Sequence, residues 1–227
     1  LCLASYKALY EYEWYDLLTL NTDIEAVFTR QVIEPIRERN LKSTIPVLEE
    51  ISNEVSSKVR MQYEANPYPR WVQLGLHLEP ITISEMEEKL NLRVFDPQIK
   101  KVEAPDILVA GCGTGQHSLD TAGRFLNSKV LAIDLSLSSL AYAKRKTEEL
   151  EFKNIKYLQS DILNLGMLDR QFDIVESSGV LHHMEDPRAG WKVLAQCLKK
   201  GGLMKIGLYS ELARKNLIQI RQEIKKS

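Results

Sequence analysis

The sequence predicts an α/β protein built on a parallel sheet, preceded by an all-helical segment. Two observations carry the sheet: from Asp106 onward short apolar runs alternate with amphipathic stretches, and the first run passes straight into a glycine-rich turn that opens a helix. A third carries the helical segment, because residues 1–65 show apolar spacings of three and four rather than two. With 227 residues, 44% hydrophobic and 27% charged, the chain has room for one full-sized domain and an appendage.

In the N-terminal part, Ile24, Val27, Phe28, Gln31 and Val32 fall near one helical face, with Thr22 or Asp23 as N-cap. Pro35 is expected to kink or end that helix. Ile45, Leu48, Ile51, Val55 and Val59 follow, and with Pro46 in a first turn they predict one continuous helix ending near Ala65. The segment YEANPYPRW (63–71) then breaks helical geometry, since each proline fixes its own φ and moves its predecessor out of the α region. This gives a division into a helical extension (1–65), a connecting segment (66–103) and a sheet domain (104–227).

The expected strands are DILVA (106–110), KVLAID (129–134), IKYLQ (155–159), FDIVES (172–177) and LMKIGLY (203–209). Helices are expected near 116–126, 137–150 and 187–199, joined to the strands by right-handed crossovers. Asp186-Pro187 reads as an N-cap with proline at the first helical position, and Gly201-Gly202 as the stop of that last helix.

Composition excludes several function classes. Lys plus Arg (30) nearly equals Asp plus Glu (31), so no summed field draws the chain to nucleic acid or an anionic membrane. No apolar run approaches the roughly 20 residues of a membrane span. Cys2, Cys112 and Cys197 are odd in number and scattered, which argues against a disulfide framework or a metal site and for a cytoplasmic location. The start LCLASYKALYEYEW lacks the basic head and apolar core of a signal peptide, and it lacks an initiator Met, so a fragment is expected.

The residues that bear chemistry cluster at the predicted carboxyl ends of the strands. Gly111-Cys112-Gly113-Thr114-Gly115 follows the first strand, where glycines let a ligand approach the backbone. The second strand ends in Asp134, placed to accept hydrogen bonds from ribose hydroxyls; the third is followed by Asp161; the fourth leads into GVLHHMED with His182 and His183. Each has a plainer reading: Asp134 as a helix cap, Asp161 as a turn residue, the histidines as loop polars. Jointly, at four consecutive strand ends, they describe one nucleoside-shaped crevice.

ILVAGCGTGQHSL, VLAIDLS, YLQSDILNL and FDIVESSGVLHHMEDP resemble, in order and spacing, the successive motifs of class I S-adenosylmethionine-dependent methyltransferases. The resemblance covers about residues 104 to 210. It implies a Rossmann-like sheet of order 3-2-1-4-5 and S-adenosylmethionine as cofactor, with S-adenosylhomocysteine as product. It further implies that Gly111, Gly113 and Gly115 line the methionine part, that Asp134 binds the ribose, and that Asp161 with Ile162 meets the adenine. Cys112, Leu135 and Ser177 join the cofactor positions by the same resemblance, with Gln116 or His117 as less direct contacts. VSSKVRMQYEANPYPRW and GLYSELAR are similar to bacterial methyltransferases often linked to tetratricopeptide repeats, although no repeat is visible. The family's last, antiparallel strand pair is missing, which leaves the fifth strand with an open edge. Truncation, the segment EPITISE, or a second subunit in a homodimer would account for it.

The activity implied is methyl transfer by in-line displacement to a small-molecule or protein acceptor, with His182 or His183 as base if the acceptor must lose a proton. A nicotinamide-dependent oxidoreductase is the nearest rival, but its third fingerprint glycine is replaced by Gln116. A non-catalytic member of the same fold is the other. For YEANPYPRW two readings stand: a rigid wall over the cofactor made by Tyr63, Asn66, Tyr68, Arg70 and Trp71, or a proline-stiffened linker whose aromatics fill core.

Overall fold

The computed structural model describes residues 1–19, 21–76, 79–210 and 212–224. Its elements are α1 (Glu25–Phe28), α2 (Glu34–Lys42), α3 (Glu54–Ala65), α4 (Ile83–Leu90), β1 (Asp106–Ala110), α5 (Gln116–Arg124), β2 (Lys129–Asp134), α6 (Leu137–Glu149), β3 (Ile155–Gln159), β4 (Phe172–Ser178), α7 (Pro187–Gln196), β5 (Leu198–Gly207) and α8 (Lys215–Ile224). The five strands form one parallel sheet of order β3-β2-β1-β4-β5, as the sequence implied. No helix among the described residues is long and apolar enough to cross a membrane.

β1 is the centre of the core because it is covered on both faces. Ile107 and Val109 pack with Leu140, Ala122 and Phe125 on one side; Leu108 and Ala110 pack with Leu181, Leu194 and Phe172 on the other. Residues two apart share a face, so an unbroken apolar run is what a doubly covered strand requires.

Five expectations are corrected. Pro35 does not end the helical run: residues Thr29–Ile33 form a π-turn that joins α1 to α2. The wider turn makes room where a proline ring would meet the preceding carbonyls. The N-cap there is Ile24, with the Asn21 side chain accepting its N–H, rather than Thr22 or Asp23.

The second helix begins at Glu54, not near Ile45. Asn53 caps it by accepting from the Ser56 N–H at 2.9 Å. Upstream, Pro46–Leu48 is extended and lies along β3: Gln159 N–H donates to Pro46 O, and Leu48 N–H donates to Gln159 O, both at 2.9 Å. An open sheet edge offers unpaired groups, and satisfying them outweighed a periodicity that was helical on paper.

Gly201-Gly202 does not stop a helix. It lies inside β5, where the register against β4 shifts between Phe172 and Ile174. Gly201 has φ +79°, and a Cβ on Gly202 would stand 2.8 Å from the Asp173 carbonyl, so the pair marks a bulge.

EPITISE does not cover β5. Ile81 bridges Phe125 behind α5, and Thr82 with Glu85 forms the capping box of α4. Among the described residues β5 pairs only with β4.

Candidate functional site

β1 runs into a turn in which Gly111, Gly113 and Gly115 all have positive φ. Two of these glycines have distinct duties. A Cβ on Gly115 would stand 2.7 Å from Ala143 Cβ and 3.0 Å from its Cα, so the missing side chain lets α5 close on α6. At Gly113 the nearest atom to such a Cβ would be the Tyr68 carbonyl at 3.8 Å; its backbone stays open to a crevice.

That crevice, of about 300 Å³, lies at the carboxyl edge of β1 to β4, where open α/β sheets bind ligands. Gly111, Cys112, Gly113, Asp134, Leu135, Asp161 and Ile162 all line it. Asp134 Oδ2 accepts the Gly113 N–H at 2.8 Å and Oδ1 accepts the Ser136 N–H at 3.0 Å. Burial pushes the Asp134 carboxyl above its ordinary value; the N–H groups of Ser136, Gly113 and Leu135 oppose this, and the charge of Glu64 adds to it. Asp161, 3% exposed, accepts the Leu163 N–H at 3.0 Å. Both carboxylates accept nearby backbone N–H groups while still bordering the crevice, Asp161 as the N-cap of the turn that follows; the cap of α6 is Ser136, not Asp134.

Gly115 and Ser177 do not line it. Ser177 is buried in β4, and its neighbours Ser178 and Gly179 reach the crevice instead. His183 lines it, whereas His182 stacks between His183, 4.3 Å away, and Tyr209, 3.8 Å away. Burial, then the charges of His183 and Arg214, push the His182 imidazole below its ordinary value. Glu176 is turned to α5: its Oε2 meets His117 Nε2 at 2.8 Å and accepts the Thr121 hydroxyl at 2.6 Å.

The other wall comes from the N-terminal part. Val55, Val59 and Tyr63, four residues apart on α3, face the crevice, and Tyr68 and Pro69 continue that wall. Asn66, Arg70 and Trp71 do not line it. Trp71 is buried against Tyr142 and Leu119, and its indole N–H donates to Thr114 O at 3.0 Å. The Thr114 hydroxyl donates to Pro69 O at 2.6 Å, and the Tyr142 hydroxyl donates to Trp71 O. YEANPYPRW is thus fastened at two points to the glycine loop and at a third to α6.

Glu64, near the end of α3, accepts the Ser136 hydroxyl and the Ser138 N–H and pairs with Lys42 at 2.7 Å. Burial would raise its carboxyl, but the bonds from Lys42 and Ser138 win and lower it. This holds α3 to the start of α6, beside Asp134. Sequence reasoning named Tyr63 and Tyr68 for this wall but missed Val55 and Val59, which read as ordinary core spacing. It also missed Ser139, whose buried hydroxyl lines the crevice and has no partner among the described residues. An orphaned buried hydroxyl beside two carboxylates suits a polar, hydroxyl-bearing ligand such as an adenosyl group.

The sheet order, the glycine turn and the acidic strand ends are those of a Rossmann-like fold of the class I methyltransferase type. Residues 108–206 match the family model described as a methyltransferase domain. An uncharacterized protein of Synechococcus is 35% identical over 121 residues, 53% of this chain and 29% of that one. The mitochondrial ubiquinone biosynthesis O-methyltransferase of Dictyostelium discoideum is 26% identical over 127 residues, 49% of this chain and 39% of that one. The chain therefore spans well under half the length of these relatives. Among solved structures, an S-adenosylmethionine-dependent methyltransferase from Clostridium acetobutylicum aligns at 26% identity with a TM-score of 0.43, covering 55% of this chain and 46% of that one.

Proposed function

We propose that the protein transfers a methyl group from S-adenosylmethionine to a small-molecule or protein acceptor. The observation that carries this reading is the meeting of Gly113, Asp134 and Asp161, from the tips of three adjacent strands, on one crevice. Asp134 would receive the ribose hydroxyls, Asp161 with Ile162 the adenine edge, and the backbone of Gly111 to Gly113 the methionine part; Ser139 offers a further hydroxyl.

When bound, S-adenosylmethionine would supply a methyl carbon already activated by a positive sulfur, open to in-line displacement by the acceptor's electron pair with the sulfur as leaving group. Most of the acceleration then comes from alignment and exclusion of water, which is the task of the α3 wall. The rings of Tyr63 and Tyr68 suit a positive sulfur. His183, at the crevice, takes the proton of a hydroxyl acceptor, with His182 stacked behind it. An oxygen acceptor agrees with the Dictyostelium relative, named for O-methylation. The dinucleotide reading is disfavoured because Gln116 opens α5 where that fingerprint needs glycine.

Titration calorimetry with S-adenosylmethionine on the wild type and on Asp134→Ala tests the assignment. Binding is expected in the first and a loss of about a hundredfold in the second, as for two hydrogen bonds to a buried charge. Equal affinities would remove Asp134 from the ribose site. Binding without turnover on any acceptor would favour the non-catalytic member of the fold.

A further inference from the structure

Glu38 is a buried carboxylate, 7% exposed, on a helix that does not reach the crevice. Two guanidinium groups hold it. Arg70 Nη2 donates to Oε1 at 3.0 Å and to Oε2 at 3.1 Å, and Arg145 Nε donates to Oε1 at 3.0 Å. Arg145 is fully buried on α6 and also meets Glu34 at 3.2 Å. Both guanidiniums lie on the Tyr142 ring, 4.7 and 4.8 Å from its centroid.

Such a cluster is a poor source of net stability, because desolvation offsets most of the attraction. What it does supply is a fixed geometry. Arg70 is flanked by the residues that touch the glycine loop: Pro69 O receives the Thr114 hydroxyl, and Trp71 donates to Thr114 O. The residue before Thr114 in that loop, Gly113, donates to Asp134. An unbroken series of contacts thus joins Glu38 to Asp134, through segments far apart in sequence.

We propose that Glu38 is a positioning residue for the cofactor: through Arg70 it sets residues 68–71 against the glycine loop, and so fixes the spacing between Gly113, Thr114 and Asp134. This rests on the methyltransferase reading above. The competing account is that the cluster merely fastens α2 to α6. Glu34 separates the two, because it pairs with Arg145 and forms no ion pair with Arg70 among the described residues.

The experiment combines calorimetric titration with S-adenosylhomocysteine and hydrogen exchange of the ligand-free protein, on the wild type, Glu38→Gln, Arg70→Ala, Arg70→Lys and Glu34→Gln. Glu38→Gln and Arg70→Ala are expected to bind about tenfold or more weakly, the usual scale for a residue behind a ligand contact. Exchange should quicken at residues 68–72 and 113–116 and stay unchanged in β4 and β5. Arg70→Lys keeps a cation opposite Glu38 and should recover part of the affinity. Glu34→Gln should lower the melting temperature while leaving affinity and this exchange pattern intact. Arg70 has a side chain 42% exposed, so its truncation spares the fold even should Glu38→Gln fail to fold. Arg70→Ala with wild-type affinity and unchanged exchange would overturn the proposal. A wild type that ignores S-adenosylhomocysteine would refute methyl transfer instead, and the exchange comparison would still decide the role of Glu38.

Discussion

Replacing Glu176 by glutamine measures how strongly the carboxyl inside β4 depends on its partners. It is 3% exposed; His117 and Thr121 bond one oxygen, while Arg124 at 3.6 Å and Lys205 at 4.0 Å face the other. Burial alone would raise its pKa, but the His117 bond and charge, the Thr121 hydroxyl and Lys205 together hold it down at about 2, against 4.5 when unperturbed. A depressed folded-state pKa means stability that is complete above the unfolded value and is lost as the pH falls from about 4.5 through about 2. At about 1.4 kcal/mol for each tenfold change in proton affinity, the loss is on the order of 3 kcal/mol. Urea unfolding of the wild type and Glu176→Gln across that window isolates the contribution, because most other titrations cancel in the difference. The wild type should be the more stable at neutral pH, and the two curves should converge on acidification. Curves that stay parallel down to about pH 2.5 would refute the depressed carboxyl.

Gly115→Ala puts a methyl against the Ala143 backbone at a φ of +92°; a loss of about 2 kcal/mol or more is expected in denaturant unfolding. Thr82→Ala removes the capping box of α4, where Thr82 Oγ1 accepts the Glu85 N–H at 3.2 Å and Glu85 accepts the Thr82 N–H at 2.7 Å. That should cost about 1 kcal/mol by the same assay while S-adenosylmethionine affinity stays unchanged. If a second copy covers the free edge of β5, light scattering after size exclusion will give twice the chain mass, and a proline at Lys205 will return it to the monomer; a particle that is monomeric at all concentrations excludes the homodimer.

The sheet was legible because its strands are buried on both faces: Ile107 to Ala110 have no polar residue to interrupt them, and the turn after them needs positive φ that only glycine adopts freely. The carboxylates at strand ends were legible for a related reason, since topology alone places Asp134 and Asp161 at one edge. The stretch before Glu54 was not. Its apolar spacing fits a helix, and what decides the outcome is the open edge of β3, more than a hundred residues further along the chain. Glu38 was invisible for the same cause. A charge on a polar helix reads as solvated, and its burial depends on Arg70 and Arg145, 32 and 107 residues away.

The α3 wall and YEANPYPRW lie wholly outside the stretch 108–206 that matches the family. Trimming the gene to that boundary would leave a half-open cup: Val59, Tyr63 and Tyr68 would be gone, and bulk water would wet the side they now shield. Such a minimal fragment should hold a nucleoside loosely and screen the sulfur's charge. The portable unit of this protein therefore begins before Glu54, well upstream of the first strand.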